Sequence, residues 1–167
     1  AATLRDGRAV VVKIQRPGIA ETMRADLRLL MAAARIVERR APALRRHQPA
    51  RVVAELGAAL LEELDFRIEA ANQAEIARHP QGFLIPAIHP AFTTARTLVA
   101  ERVFGQRPDP AFRAAHPALA RRLAPEAARG LLGMMLRDGV FHADPHPGIL
   151  LVTADGRRAL LDYGSVG

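Results

Sequence analysis

Two different periods of apolar residues run through the first half of the chain. Residues 8–15, "RAVVVKIQ", form a β-branched run between two glycine-containing turns, and we predict a strand there. Over residues 19–40 apolar side chains recur every three or four positions, which predicts an amphipathic helix. A second helix is predicted over residues 49–78, beginning at a proline in its first turn. Its predicted buried stripe is Val53, Leu56, Leu60 and Leu64.

The second half of the chain alternates short apolar runs with breaker-rich stretches. Two short strands are predicted near 83–86 and 97–103, and residues 105–118, rich in Pro, Gly and Arg, are interpreted as a linker. A helix is predicted over 125–138, with an exposed apolar patch around Leu131, Met134 and Met135. Residues 149–161 then predict a hairpin, because Asp-Gly separates two apolar runs.

This order of elements predicts an α+β fold built as two lobes. Residues 1–104 would form a small lobe of antiparallel strands and helices, and residues 105–124 a linker and the start of a large lobe. Residues 125–167 would be part of a helical large lobe. The length of 167 residues is enough for a substantial core.

Composition narrows the classes of function. The absence of cysteine excludes disulfides and thiolate-bound zinc, and no apolar run approaches the roughly 20 residues of a membrane span. The net charge of +7 comes mostly from arginine, but there is no tryptophan and only one tyrosine to stack on bases. We therefore expect no nucleic-acid partner, and interpret the basic residues as a solvated face or a contact with anionic lipid or phosphate.

Several charged residues lie within segments that are otherwise apolar. Lys13 follows three valines, so a buried ammonium there needs an anionic partner, unless it reaches solvent from an edge strand. On one straight helix Glu62, Asp65 and Glu69 would share a face, because their spacings of three, four and seven return to one side. That face is either a partner for Lys13 or an ordinary solvated acidic surface.

Two aspartates favour the first interpretation. Asp144 and Asp162 each end an apolar approach, in "GVFHAD" and "RALLD". Phosphoryl transfer needs a lysine on the phosphates, an acid that fixes the lysine, an aspartate for the substrate proton and oxygen ligands for Mg²⁺. The kinase signatures for these parts appear here in order as "VVVK", Glu69, "HAD" and "DYG".

The histidines in "FHADPHPGIL" allow a different interpretation. His142 and His146 with Asp144 could ligate a transition metal. A helical metal site is excluded, however, because Pro145 and Pro147 cannot lie inside a helix. We favour a role in which both histidines shape the loop that presents Asp144, through hydrogen bonds to the backbone or to the second aspartate.

Four blocks of the sequence together resemble one known family. "VVVKIQRPGI", "EELDFRIEAAN", "GVFHADPHPGIL" and "LLDYGSVG" are similar, in order, to the signature blocks of the UbiB (AarF/ADCK) atypical kinases, which are tied to ubiquinone biosynthesis. The similarity covers nearly the whole chain. "HADPHPG" alone would also fit an aminoglycoside- or choline-kinase-like enzyme.

The resemblance implies a protein-kinase-like fold that uses ATP and Mg²⁺. Lys13 would be the phosphate-binding lysine and Glu69 the helix glutamate paired with it. Asp144 would be the aspartate of the catalytic loop, and Asp162 the metal-binding aspartate of the DFG-like motif. ATP hydrolysis rather than protein phosphorylation is the activity that the family resemblance favours.

The resemblance also implies residues outside that core set. Glu63 and Asp65 match the family's ExD motif, and residues 100–103 would form the hinge, where the backbone of Glu101 and Val103 takes the adenine. A cytoplasmic protein is implied, with a peripheral place on the inner membrane near lipid quinone precursors.

Position 149 departs from the family pattern. The family has asparagine, a second metal ligand, where this chain has Ile149, and the chain looks like a fragment of the family's sequence at both ends. Three interpretations stay open: an active atypical kinase or ATPase, a pseudokinase that binds nucleotide or lipid and acts through partners, and a small-molecule kinase of the aminoglycoside type.

Overall fold

A computed structural model describes all 167 residues. It contains six strands: β1 (Ala2–Thr3), β2 (Ala9–Ile14), β3 (Phe83–Leu84), β4 (Thr97–Glu101), β5 (Leu150–Val152) and β6 (Arg158–Leu160). Its five α-helices are α1 (Ile19–Arg40), α2 (Pro49–Glu62), α3 (Phe66–Arg78), α4 (Pro110–Ala115) and α5 (Pro117–Gly133). The predicted α+β class is therefore confirmed. None of the helices is both long and apolar enough to cross a membrane.

The chain divides into two compact units, Ile14–Asp65 and the rest, Ala1–Lys13 with Phe66–Gly167. In the smaller unit α1 packs on α2, where Gly57 allows a close approach to Leu27. The carboxylate of Glu38 on α1 accepts a hydrogen bond of 3.0 Å from the amide of Ala50, in the first turn of α2. The predicted lobe boundaries at 104 and 125 stay a prediction.

The larger unit contains two three-stranded sheets. Their strand orders are β1-β2-β4 and β3-β6-β5. β5 and β6 form the predicted hairpin, with Val152 opposite Arg158. Gly156 at its turn has a φ of 75°, a backbone conformation that favours glycine, so the Asp-Gly signal was interpreted correctly.

The larger of two apolar clusters lies behind the hairpin. The buried members are Ile76, Phe83, Met134, Ile149, Leu160 and Tyr163. They come from α3, β3, β6, the π-helical segment Met134–Asp138 that continues α5, and the segments on either side of the hairpin. This cluster fixes the hairpin against α3 and thereby positions the residues that precede and follow its two strands.

The predicted second helix differs from the structure. The helix predicted over 49–78 is broken between Glu62 and Phe66, so Glu62 and Glu69 do not share a face of one helix. Leu56, predicted to be buried, is 48% exposed. The apolar period alone could not reveal the break, because the hydrophobic residues on both sides of it keep a helical spacing.

The stretch interpreted as a linker and the helix after it also need correction. Residues 110–115 form α4, whose Pro110 occupies the first turn and whose Asp109 caps the Phe112 amide at 2.8 Å. α5 begins at Pro117, eight residues before the predicted start, and accommodates Pro125 in its interior. Met134 is fully buried rather than exposed, whereas Leu132, Met135 and Leu136 form the exposed apolar side.

Gly130 of α5 generates a prediction about packing. A Cβ at this position would lie 2.6 Å from Cε2 of Phe83 and 2.9 Å from the carbonyl oxygen of Gln81. Gly130→Ala should therefore destabilise the fold by roughly 1–3 kcal/mol, although alanine is normally the better residue in a helix. Urea denaturation measures the difference in the free energy of unfolding.

The matched control is Gly133→Ala, one turn later in the same helix. The nearest atoms to its Cβ belong to the flexible side chain of Gln81, at 3.0 Å and beyond. We expect this variant to change stability by less than about 1 kcal/mol in either direction. Equal losses in both variants would contradict the proposed contact with Phe83.

Candidate nucleotide site

The ammonium group of Lys13 contacts two carboxylates. It donates a hydrogen bond to Oε1 of Glu69 on α3, and it lies 3.5 Å from Oδ2 of Asp162, two residues after β6. The Glu69 side chain is only 8% exposed, whereas that of Asp162 is half exposed. The predicted contact of Lys13 with Glu69 is confirmed, and Lys13 is not a lysine that merely reaches solvent.

Because the Glu69 carboxylate is buried, its contact with Lys13 matters for stability. A carboxylate removed from water needs a charged partner or several hydrogen bonds, and removing the partner of a buried charge is strongly destabilising. Lys13 is one third exposed, so its charge remains partly screened by solvent. The pair therefore acts mainly to fix the position and direction of the lysine, with its other side open to a third anion.

Asp162 is held in its charged form. Burial by itself raises the pKa of its carboxyl, but the amide of Gly164, which donates to Oδ1 at 3.1 Å, and the charge of Lys13 outweigh that effect. The pKa of Asp162 consequently lies below its ordinary value. A carboxylate that stays ionised near an open cavity is suited to bind a cation or to orient an ammonium group.

The ring of His142 connects the two aspartate segments. Its Nε2 lies 2.7 Å from the carbonyl oxygen of Asp162, and its Nδ1 accepts a hydrogen bond of 3.1 Å from the amide of Asp144. An acceptor Nδ1 requires the proton on Nε2, which then donates to Asp162. Both nitrogens of this buried ring are thus occupied by backbone groups, which disfavours the alternative of a transition-metal ligand.

The second histidine also shapes the loop. Nδ1 of His146 accepts from the Gly148 amide at 3.1 Å, and the Ile149 amide donates to the His146 carbonyl at the same distance. The interpretation that both histidines organise the loop through backbone hydrogen bonds is confirmed. Asp144 itself is exposed, with its carboxylate free of protein partners.

A cavity of about 350 Å³ opens beside these groups. Lys13, Asp162 and Ile149 line it, together with the β4 end and the segment after it, including Glu101 and Val103. The apolar part of its wall includes Val11, Leu98, Ala100, Leu151 and Leu161. Its size and mixed lining are typical of a small-ligand site.

Backbone groups near the end of β4 differ in their availability. The amide of Glu101 donates to Ala87 at 2.7 Å, and that of Arg102 to Ala9 at 3.1 Å. The amide and carbonyl of Val103 form no hydrogen bond within the chain. A ligand in the cavity therefore has one unengaged backbone donor and acceptor beside it.

Ile149 contacts both the apolar cluster and the cavity. It is 6% exposed and packs in the apolar cluster with Leu160 and Tyr163, yet it also contributes to the cavity wall. Its side chain offers no oxygen to a cation. Of the two positions at which the kinase pattern has oxygen-bearing metal ligands, Asp162 carries a carboxylate and Ile149 carries no oxygen.

The sequence interpretation missed one residue of this site. Nδ2 of Asn72 donates to the carbonyl of Tyr163 at 3.0 Å and so ties α3 to the turn after Asp162. Its spacing of three residues from Glu69 places both on one face of α3. That spacing was the available signal. Glu63 and Asp65 lie in the break that follows α2, in the smaller unit, Glu63 exposed and Asp65 half-buried.

Comparison with known proteins agrees with this geometry. The model of the ABC1 atypical kinase-like domain matches residues 1–167. An uncharacterised protein of Mycobacterium tuberculosis (strain H37Rv) is 42% identical over 99% of this chain and 35% of its own length. A protein of Vibrio atlanticus named "Probable protein kinase UbiB" is 36% identical over 96% of this chain and 31% of its own length.

A solved structure is also similar. It is a complex of Rv3197 of Mycobacterium tuberculosis with erythromycin, which superposes with a TM-score of 0.80 at 30% identity and covers 99% of this chain and 42% of that one. Fold and site thus define an atypical kinase-like protein. The chain belongs to the ABC1 atypical kinase family, which confirms the resemblance to UbiB, and it spans about a third of the length of the curated relatives it matches.

The charge of Asp162 generates a prediction for pH titration. Lys13→Met removes the cation 3.5 Å from Oδ2, so the pKa of Asp162 should rise towards the ordinary value of about 3.9. In the parent chain the stabilisation from ionised Asp162 is present above that value and is lost as the pH falls through the lower folded pKa. NMR titration of the Asp162 carboxyl carbon measures this pKa in the parent chain and in the variant. An unchanged pKa in the variant would refute the role of Lys13.

Proposed function

We propose that this chain is the nucleotide-binding part of an atypical kinase or ATPase and that its cavity takes Mg·ATP. One observation carries the proposal: the Lys13 ammonium is held between Glu69 and Asp162 at the wall of a cavity of about 350 Å³. A lysine fixed by a buried glutamate and facing an open cavity is the arrangement that phosphoryl transfer requires for holding phosphate oxygens.

The cavity residues fit a magnesium nucleotide in a defined way. Asp162 would bind the metal, because its carboxylate is a hard oxygen ligand that is ionised at neutral pH. Mg²⁺, when bound, neutralises phosphate charge and favours displacement at phosphorus. Lys13 would bind the phosphates, and the base would lie against apolar wall residues such as Leu98, with its edge at Glu101 and Val103.

Asp144 is the residue we propose to act on the attacking group. Its carboxylate is exposed and has no protein partner, while its backbone is fixed through His142. It would accept the proton of water in ATP hydrolysis, or of an acceptor hydroxyl in transfer. Glu63 and Asp65 are proposed to serve as the family's ExD motif.

The biological setting is proposed from the relatives. Several are named "Probable protein kinase UbiB", which supports a role in ubiquinone biosynthesis, with lipid quinone precursors as partners at the cytoplasmic face of a membrane. The net charge of +7 suits a contact with anionic headgroups. The likeness to a protein solved with erythromycin keeps a small-molecule kinase as an alternative.

Direct titration tests the proposed cavity. We expect Mg·ATP to shift NMR signals of residues around the cavity, with a lower affinity when Mg²⁺ is omitted. Asp162→Asn should weaken Mg·ATP binding at least tenfold, because the ionised metal ligand is lost. Asp155→Asn is the control, since this exposed hairpin carboxylate pairs only with its neighbours Thr153 and Arg157. Equal losses in the two variants would contradict the proposal.

Ile149 generates a separate prediction about turnover. Ile149→Asn would place a carboxamide oxygen beside the cavity, so Mg²⁺-dependent ATP hydrolysis should be faster in the variant than in the parent chain. Because the side chain also belongs to the apolar cluster, asparagine should cost on the order of 1–3 kcal/mol in stability. Rates are therefore compared at equal folded fractions.

Ile149→Val is the control for that experiment, since it changes packing without adding an oxygen. It should leave the rate of ATP hydrolysis at the parent level. A slow parent chain with intact nucleotide binding would correspond to the pseudokinase alternative. Equal rates in the parent and the asparagine variant would show that position 149 contributes packing alone.

A further inference from the structure

A second cavity lies on the other side of the hairpin. It has a volume of about 180 Å³ and is lined by residues of α4, α5, β5, β6 and the loop before β5. Its apolar lining includes Phe112, Ala120, Leu123, Ala127, Leu150 and Val152. Only Leu151 also lines the larger cavity, so the two spaces are separate.

Two arginines are the charged residues in this apolar wall. Arg113 is exposed, whereas the side chain of Arg158 is only 13% exposed. Nη1 of Arg158 is screened from water and has no hydrogen-bond partner. Its nearest carboxylate oxygen, Oε2 of Glu126, is 3.9 Å away, which is too long for a hydrogen bond.

The other contacts of Arg158 compensate little for its burial. Nη2 donates to the carbonyl of Gly82 at a long 3.4 Å, and the guanidinium lies 5.1 Å from the centre of the Phe83 ring. Glu126 is shared, because its Oε1 is 3.5 Å from Nη1 of Arg122. A mostly buried guanidinium with a shared counter-ion is incompletely neutralised, and an anion in the cavity can contact the part of Arg158 that lines it.

The groups around Arg158 carry an excess of positive charge. Burial lowers the pKa of its guanidinium; Glu126 acts in the opposite direction, and the charges of Arg122 and Arg129 add to the lowering. The local set is thus three arginines against one glutamate, which favours the entry of a negative group. A carboxylate suits a guanidinium best, since the two can form paired, coplanar hydrogen bonds.

The volume of the second cavity indicates the size of the apolar group that carries this carboxylate. An apolar protein cavity of roughly 150 Å³ holds one benzene molecule, so about 180 Å³ is the right size for a single ring or a short branched chain. We propose that this cavity binds a small monoanionic carboxylate with an aromatic or branched aliphatic body, about the size of benzoate, whose carboxylate pairs with Arg158.

Benzoate and benzamide are matched probes, because they share shape and differ in charge. Titration of the 167-residue chain without nucleotide should show benzoate binding with a Kd of roughly 0.1–1 mM, an affinity within reach of so small a ligand. Benzamide should bind at least tenfold more weakly. NMR shifts at Leu150 and Val152 should report the site, while signals at Lys13 stay unchanged.

Variants separate the cavity from general attraction to a basic surface. Arg158→Met should weaken benzoate binding at least tenfold. Ala124→Leu should weaken it likewise, because it fills the cavity from an exposed helix position that accepts leucine. Arg121→Gln is the control, since this exposed arginine bonds only to the Pro117 carbonyl of its own helix, and it should leave the affinity unchanged.

Three results would overturn the proposal. They are the absence of benzoate binding, equal affinity for benzoate and benzamide, and equal losses in Arg158→Met and Arg121→Gln. If Arg158→Met does not fold, the ratio of the two probes and the Ala124→Leu variant still decide the question. None of these measurements requires ATP, so their outcome is independent of the proposed nucleotide site.

Discussion

The buried carboxylate of Glu69 is the constraint on which the larger unit depends. It is 8% exposed, and its partner Lys13 comes from a strand 56 positions earlier in the chain. A charge removed from water must be paired, so the fold is compatible only with arrangements in which β2 brings the lysine to α3. The lysine is then directed at the cavity where Asp162 lies.

A second constraint is the backbone bonding of His142. One buried ring joins the segment before the hairpin, at Asp144, to the segment after it, at Asp162. A two-stranded bridge adds to this link, because Phe141 and Gly167 exchange both of their backbone hydrogen bonds at 3.0 Å. The hydrogen bonds of the His142 ring and the backbone β-pairing therefore set the spacing of the two aspartate segments.

Sequence patterns predicted these parts to different degrees. The helix at 19–40 and the hairpin followed directly from local signals, because each has its own period and its own turn residues. The contact of Lys13 with Glu69 could be predicted because a lysine in an apolar strand demands an anion. The break between Glu62 and Phe66 could not, since it is a turn with no proline or glycine to announce it. Spacing places Asn72 on the Glu69 face of α3, but its hydrogen bond to the Tyr163 carbonyl depends on tertiary structure, which no local pattern contains.

At Ile149 the backbone geometry of the loop is independent of the side chain that faces the cavity. The hydrogen bonds that shape the loop around it come from His146 and Gly148, and the Ile149 carbonyl accepts the Leu161 amide at 3.0 Å through the backbone alone. None of these bonds depends on the side chain at position 149. An aliphatic residue there even strengthens the apolar cluster behind the hairpin. The loop consequently keeps its hydrogen bonds although the side chain at position 149 offers no oxygen. The placement of Lys13, the two aspartates and the cavity therefore does not depend on whether the chain turns over a nucleotide.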